Sequence, residues 1–180
     1  MSVLSVFDFV LFRLSRNCRE VFALSYCTFI ASDSPLPDAA PQKEYPLVIN
    51  LDEGTVFDGG ADDNFCLHTL RPVPGCTDKK YGVYLAWHYT DGRARKILEY
   101  IENALKYDAA IEIWRVWLMD YYDYEESPVI RKCTVPFSDL TVDDIKEIDL
   151  AEVWNTPDKR YPNRPSFYCL TITQEEDLST

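Results

Sequence analysis

Apolar positions along the chain change period sharply enough to mark elements, most clearly after Tyr81. "YGVYLAWHY" (81–89) is aromatic and β-branched, which predicts a strand. In "RARKILEYIENALKY", Ile97, Leu98, Ile101 and Leu105 recur at helical spacing, and Arg93, Lys96, Glu99 and Glu102 are assigned to the other side. A helix is therefore expected near 93–107, started by Thr90 or Asp91. "AAIEIWRVWL" then alternates, with Ile111, Ile113, Arg115 and Trp117 on one face and Glu112, Trp114, Val116 and Leu118 on the other. Neither face is wholly polar, so the strand at 110–118 is expected to be interior, with Ile113 and Trp117 towards a core. "SPVIRKCTVPF" (127–137) reads as its partner strand. Thr141 with Asp144 three residues later forms a capping-box pattern ahead of a helix over 142–153, whose Val142, Ile145, Ile148 and Val153 point inward. "SFYCLTIT" (166–173) is a final strand.

Upstream the signals are shorter. "SYCTFIA" (25–31), "LVINLD" (47–52) and "FCLHTL" (65–70) read as strands. Between them lie a segment with four prolines (32–46) and the Gly- and Asp-rich "EGTVFDGGADDN", taken as a turn region. The order of elements predicts an α+β fold: a mostly antiparallel mixed sheet with two principal helices packed on it. Residues 25–180 are expected to form one such domain, with a Pro-rich loop at 32–46. Residues 1–24 are expected to be an apolar N-terminal appendage or peripheral helix. Val3, Val6, Phe7, Val10, Leu11 and Leu14 share one helical face there, and the arginines follow the apolar run, which is the wrong order for a secretory signal.

Charge adds to this picture. The chain of 180 residues carries 30 acids against 18 bases, for a net charge of −12. Such a chain repels nucleic acid and anionic membrane and is steered towards basic protein surfaces. From Asp108 to Asp158 there are 13 acids and four bases. Within that window "DYYDYEES" sets Asp120, Asp123, Glu125 and Glu126 beside Tyr121, Tyr122 and Tyr124. A hairpin loop has no need of three tyrosines, whereas tyrosine is enriched at protein interfaces. These seven residues are the expected partner-binding site.

Catalytic patterns are absent from the sequence: there is no phosphate loop, dinucleotide fingerprint or nucleophile elbow. No cofactor is expected, and an enzyme is not. The weak metal candidates are Cys66, His68 and Cys76, with His88 or Cys169 as the fourth zinc ligand. The six cysteines are scattered and form no C-x-x-C pair, so free thiols in a reducing cytoplasm are expected. No apolar run reaches the length of a membrane span.

"GVYLAWHYTDGRARKILEYIENALKYDAAIEIWRVWL", "VPFSDLTVDDIKEI" and "FYCLTIT" together resemble small bacterial α+β proteins of the immunity type, from toxin–immunity systems. The resemblance covers residues 81–173 and rests on structural motifs. It implies a cytoplasmic inhibitor that masks the active surface of a toxin or nuclease. One alternative is a phage-encoded inhibitor of the anti-CRISPR kind, whose carboxylates mimic nucleic acid in a nuclease channel. The other is a zinc protein or enzyme built on Cys66, His68, Cys76 and His88.

Overall fold

The computed structural model describes residues 26–72, 76–117, 130–151 and 167–174. Eight strands are described: β1 (Tyr26–Ser32), β2 (Val48–Asn50), β3 (Thr55–Phe57), β4 (Cys66–Leu70), β5 (Tyr81–Ala86), β6 (Ala110–Trp117), β7 (Ile130–Pro136) and β8 (Phe167–Thr173). Two α-helices accompany them, α1 (Asp91–Leu105) and α2 (Val142–Leu150), with a 3-10 turn at Phe137–Asp139. Six strands form one sheet in the order β4-β5-β1-β6-β8-β7, and β2 and β3 form a separate two-stranded sheet. Every pairing is antiparallel except β7 with β8. This is the expected α+β architecture of a mixed, mostly antiparallel sheet with two helices.

The periodic segments fold as their spacing predicts, for local reasons. Thr90 caps α1 by accepting from the Arg93 N–H at 3.1 Å. At α2 both arms of the capping box form: the Asp144 N–H donates to Thr141 Oγ1 at 3.3 Å, and the Thr141 N–H donates to Asp144 Oδ2 at 2.7 Å. Alternation in β6 sends Ile111 and Ile113 to one side of the sheet and Trp114 and Val116 to the other. β6 is interior, flanked by β1 and β8. The side chain of Trp117 and residue Val153 lie outside what the structure describes.

The sheet thus separates two apolar layers. On the helix side, Ile97, Ile101 and Leu105 of α1 and Ile145 and Ile148 of α2 pack on Ile30, Val83, Leu85, Ile111, Ile113, Leu170 and Ile172. On the other side, one row crosses all six strands through successive register partners: His68, Tyr84, Phe29, Trp114, Cys169 and Lys132. Phe29 and Trp114 stack at 6.1 Å between centroids, and the Lys132 ammonium lies 5.4 Å from the Trp114 ring centre. Cross-strand pairs of this kind are the unit of sheet stabilisation.

Three expectations change. First, β6 and β7 are not partners, because β8 lies between them. β8 lies parallel to β7 and antiparallel to β6, so β6 and β7 do not form a hairpin. Second, the presumed turn region at 53–64 contains β3, paired with β2 in the register Val48–Phe57, Ile49–Val56 and Asn50–Thr55. Third, Arg93, assigned to the solvent side of its helix, is fully buried.

The proline-rich segment belongs to the fold. Leu36 and Ala39 pack on the helix-side core, Ala39 bridges to Leu67, and Asp38 accepts from the Thr69 N–H and hydroxyl at 2.6 Å each. The Tyr100 hydroxyl donates to the Pro37 carbonyl at 2.9 Å. This segment therefore covers the outer edge strand β4, which would otherwise offer unpaired backbone.

Candidate interaction surface

Two arginines are spent in the interior. Arg93 forks to Asp58, Nη1 to Oδ2 at 2.7 Å and Nη2 to Oδ1 at 2.9 Å, while Nε reaches the Ala61 carbonyl and Nη1 the His88 carbonyl, each at 2.8 Å. Arg115 donates to Thr28 Oγ1 at 2.9 Å and lies 3.4 Å from Asp149. Other bases are tied to partners at the surface. Lys79 bridges Asp33 and Asp108, Lys96 meets Glu99, and Arg131 meets Glu147. Lys43 and Lys146 lie over the rings of Tyr45 and Tyr89. Among the described residues five bases are thus paired with carboxylates, two of them in the interior, and over the whole chain 30 acids still outnumber 18 bases.

The ion pairs leave a pH signature. The Arg93 guanidinium holds the Asp58 carboxyl below its usual range. Burial pushes Asp108 up, but bonds from Ser32, the Asp33 and Ala110 N–H groups and the nearby Lys79 outweigh it and hold this carboxyl low as well. A carboxylate with a depressed folded pKa adds stability that is fully present above its unfolded value of about 4 and lost as pH falls through the folded one. Asp149 works in the opposite sense, since burial raises its carboxyl despite Arg115. Asp58→Asn and Asp108→Asn should therefore destabilise the chain at neutral pH, and the gap from wild type should narrow below about pH 4. Urea titrations at a series of pH values check this; a gap independent of pH would show that neither ion pair stabilises the fold.

The most exposed apolar element is the hairpin of β2 and β3. Leu47, Val48, Ile49, Leu51 and Phe57 are all exposed. Its turn is built by Asn50, whose side-chain oxygen accepts from the Asp52 N–H at 3.1 Å and the Glu53 N–H at 3.3 Å. Gly54 completes the turn at φ +64°, a left-handed conformation that favours glycine. The base is rigidly mounted. Asp58 is held by Arg93, Asn64 Nδ2 donates to the Asp58 carbonyl at 3.1 Å, and the Tyr45 hydroxyl donates to Asp63. Between 44 and 63 the chain has six acids and no lysine or arginine. The sequence signal for this element was the pair "LVIN" and "TVF" around an Asn-x-x-x-Gly turn. The first run reads as a strand, as β2 is, but the acids and glycines around "TVF" make the second read as a turn.

The expected site, Asp120, Tyr121, Tyr122, Asp123, Tyr124, Glu125 and Glu126, lies outside the described residues. The strand ends that flank it, Trp117 and Ile130, lie at one end of the sheet. That end also carries the pair of Arg115 and Asp149.

The zinc candidates do not assemble. Cys66 is disulfide-bonded, so it offers no thiolate to a metal. Cys66 and His68 alternate onto the sheet face away from the helices, where Cys76 is also buried. Among the described residues no group of three His, Cys, Asp or Glu side chains is placed to hold a metal ion. The His88 carbonyl accepts from Arg93 Nη1 at 2.8 Å.

The disulfide also corrects the expectation of six free thiols. Cys27, Cys76, Cys133 and Cys169 are free, so the partner of Cys66 lies outside the described residues. Burial pushes the Cys27, Cys76 and Cys169 thiols up to about 12, which keeps them protonated and slow to react. Thiol titration in denaturant without reductant should find the four free cysteines. A count of all six would return the chain to the reducing environment expected from its scattered cysteines; a persistent disulfide belongs to an oxidising one.

Among the described residues no helix is long and apolar enough to cross a membrane. Comparisons with protein-family models, curated proteins and solved structures found no match.

Proposed function

We propose that this protein is an acidic binding protein that masks the basic surface of a toxin or nuclease, in the manner of an immunity protein. The observation that carries this reading is the inward or neutralised placement of its bases. Arg93 and Arg115 are buried against carboxylates, and Lys79, Lys96 and Arg131 are paired, while the chain retains a net charge of −12. A surface of this kind attracts a positively charged protein over long range and repels nucleic acid.

The test is affinity capture from the host at low salt, followed by binding kinetics with the captured protein. The partner should be basic, and association should slow as salt screens the attraction. Replacing Asp120, Asp123, Glu125 and Glu126 by their amides should lower the association rate by a factor that shrinks with rising salt. Replacing Tyr122 or Tyr124 by alanine should speed dissociation and cost about 1–3 kcal/mol of affinity. Unchanged kinetics in both sets would remove the 120–126 segment from the interface. A captured partner that is neutral or acidic would remove the reading itself.

A further inference from the structure

The hairpin of β2 and β3 exposes more apolar side chain than its own fold requires. Leu51 at the turn is 88% exposed, Phe57 62%, Ile49 57%, Val48 56% and Leu47 52%. Val48 and Phe57 are cross-strand partners and share one face, Ile49 occupies the other, and Leu51 sits at the tip. An isolated two-stranded hairpin is marginal in water, and apolar side chains concentrated on an exposed element mark an interaction site. The clamp of Arg93 on Asp58 mounts this one firmly, so little ordering remains to be done on binding.

Charge selects the occupant. The stretch 44–63 has six acids and no base. A second copy would set like charges against each other, and nucleic acid or an anionic membrane would be repelled in the same way. What remains complementary is a protein surface with an apolar centre and a rim of lysine or arginine.

We infer that the β2–β3 hairpin is a docking element of this protein, with Leu51 and Phe57 as apolar anchors in a basic protein partner and Asp52 and Glu53 meeting the basic rim. This rests on the reading of the chain as an acidic binder of a basic protein, and it adds the hairpin as a second contact element beside residues 120–126.

The experiment uses the full chain and a synthetic amphipathic peptide of leucine and lysine, which presents an apolar stripe between rows of lysine. Two controls accompany it: the same peptide with glutamate for lysine, and oligolysine. Backbone amide shifts report where each binds. The leucine–lysine peptide should perturb residues 47–57 first and most strongly, and the glutamate peptide should not bind. Oligolysine should bind more weakly and spread over the acidic surface. Leu51→Ala and Phe57→Ala should each weaken the leucine–lysine peptide by about tenfold and leave oligolysine unchanged. Both side chains are exposed, so the variants keep the fold, and their unfolding midpoints check this. Shifts centred away from 47–57 overturn the hairpin assignment while the acidic-binder reading stands. Failure of every basic probe to bind overturns both. Concentration-dependent dimers abolished by Leu51→Asp would assign the surface to a second copy and also overturn the inference.

Discussion

Replacing Arg93 by alanine should destabilise the protein by about 3–5 kcal/mol, because it leaves a carboxylate uncompensated in a partly buried site. The side chain is fully buried and donates to Asp58 through both terminal nitrogens, to Ala61 through Nε and to His88 through Nη1. These bonds join the N-terminal end of α1 to the end of β5 and to the base of the hairpin, 35 residues upstream. Truncation therefore strands two carbonyls as well as Asp58, and unsatisfied buried groups lose the full benefit of solvation. Arg93→Lys keeps a charge but cannot fork, so it should recover only part of the loss. The double change Arg93→Met with Asp58→Asn should cost less than Arg93→Ala alone, since no charge is then left without a partner. Chemical denaturation measures all three, and amide exchange at 58–64 should quicken in the single variant. A cost under about 1 kcal/mol for Arg93→Ala would mean that the clamp is dispensable.

Trp114→Ala should cost a comparable amount, about 3–5 kcal/mol, for a different reason. Trp114 is fully buried at the middle of the row that crosses the sheet, stacked on Phe29 and flanked by Cys169. Its indole N–H donates to Glu112 Oε2 at 2.8 Å, and the Thr77 hydroxyl donates to the same oxygen. Alanine would open a cavity between Phe29 and Lys132 and remove one of two donors from Glu112. Trp114→Phe should keep most of the packing and lose the hydrogen bond, for a smaller cost of about 1–2 kcal/mol. Equal losses for the two variants would show that the indole N–H, and not the ring, carries the contribution. Unfolding midpoints for both separate the two terms.

The elements with unbroken period were legible in the sequence. Alternation in "AIEIWRVW" identified an interior strand, and β6 does lie between two neighbours with a core on each side. The spacing of Ile97, Ile101 and Leu105 defined the buried face of α1, and Thr141 with Asp144 defined the start of α2. Such signals are local, because a helix or strand records in its own residues which of its faces is apolar. What that face meets is not recorded there. Arg93 stands four residues before Ile97 and therefore shares its face, yet a charge is assigned to solvent by default. Only Asp58, brought in from another part of the chain, makes its burial tolerable. The order β6-β8-β7 was likewise invisible, because pairing partners depend on how α2 returns the chain to the sheet. The β2–β3 hairpin shows the same division. Its short apolar runs were in the sequence, but whether Leu51 and Phe57 are core or surface is decided by what packs over them. Sequence by itself determined the elements of unbroken period, the apolar positions of their buried faces and the acidic balance. Tertiary structure decided strand order, the burial of two arginines and the exposure of the hairpin, since each depends on contacts between residues far apart in the chain.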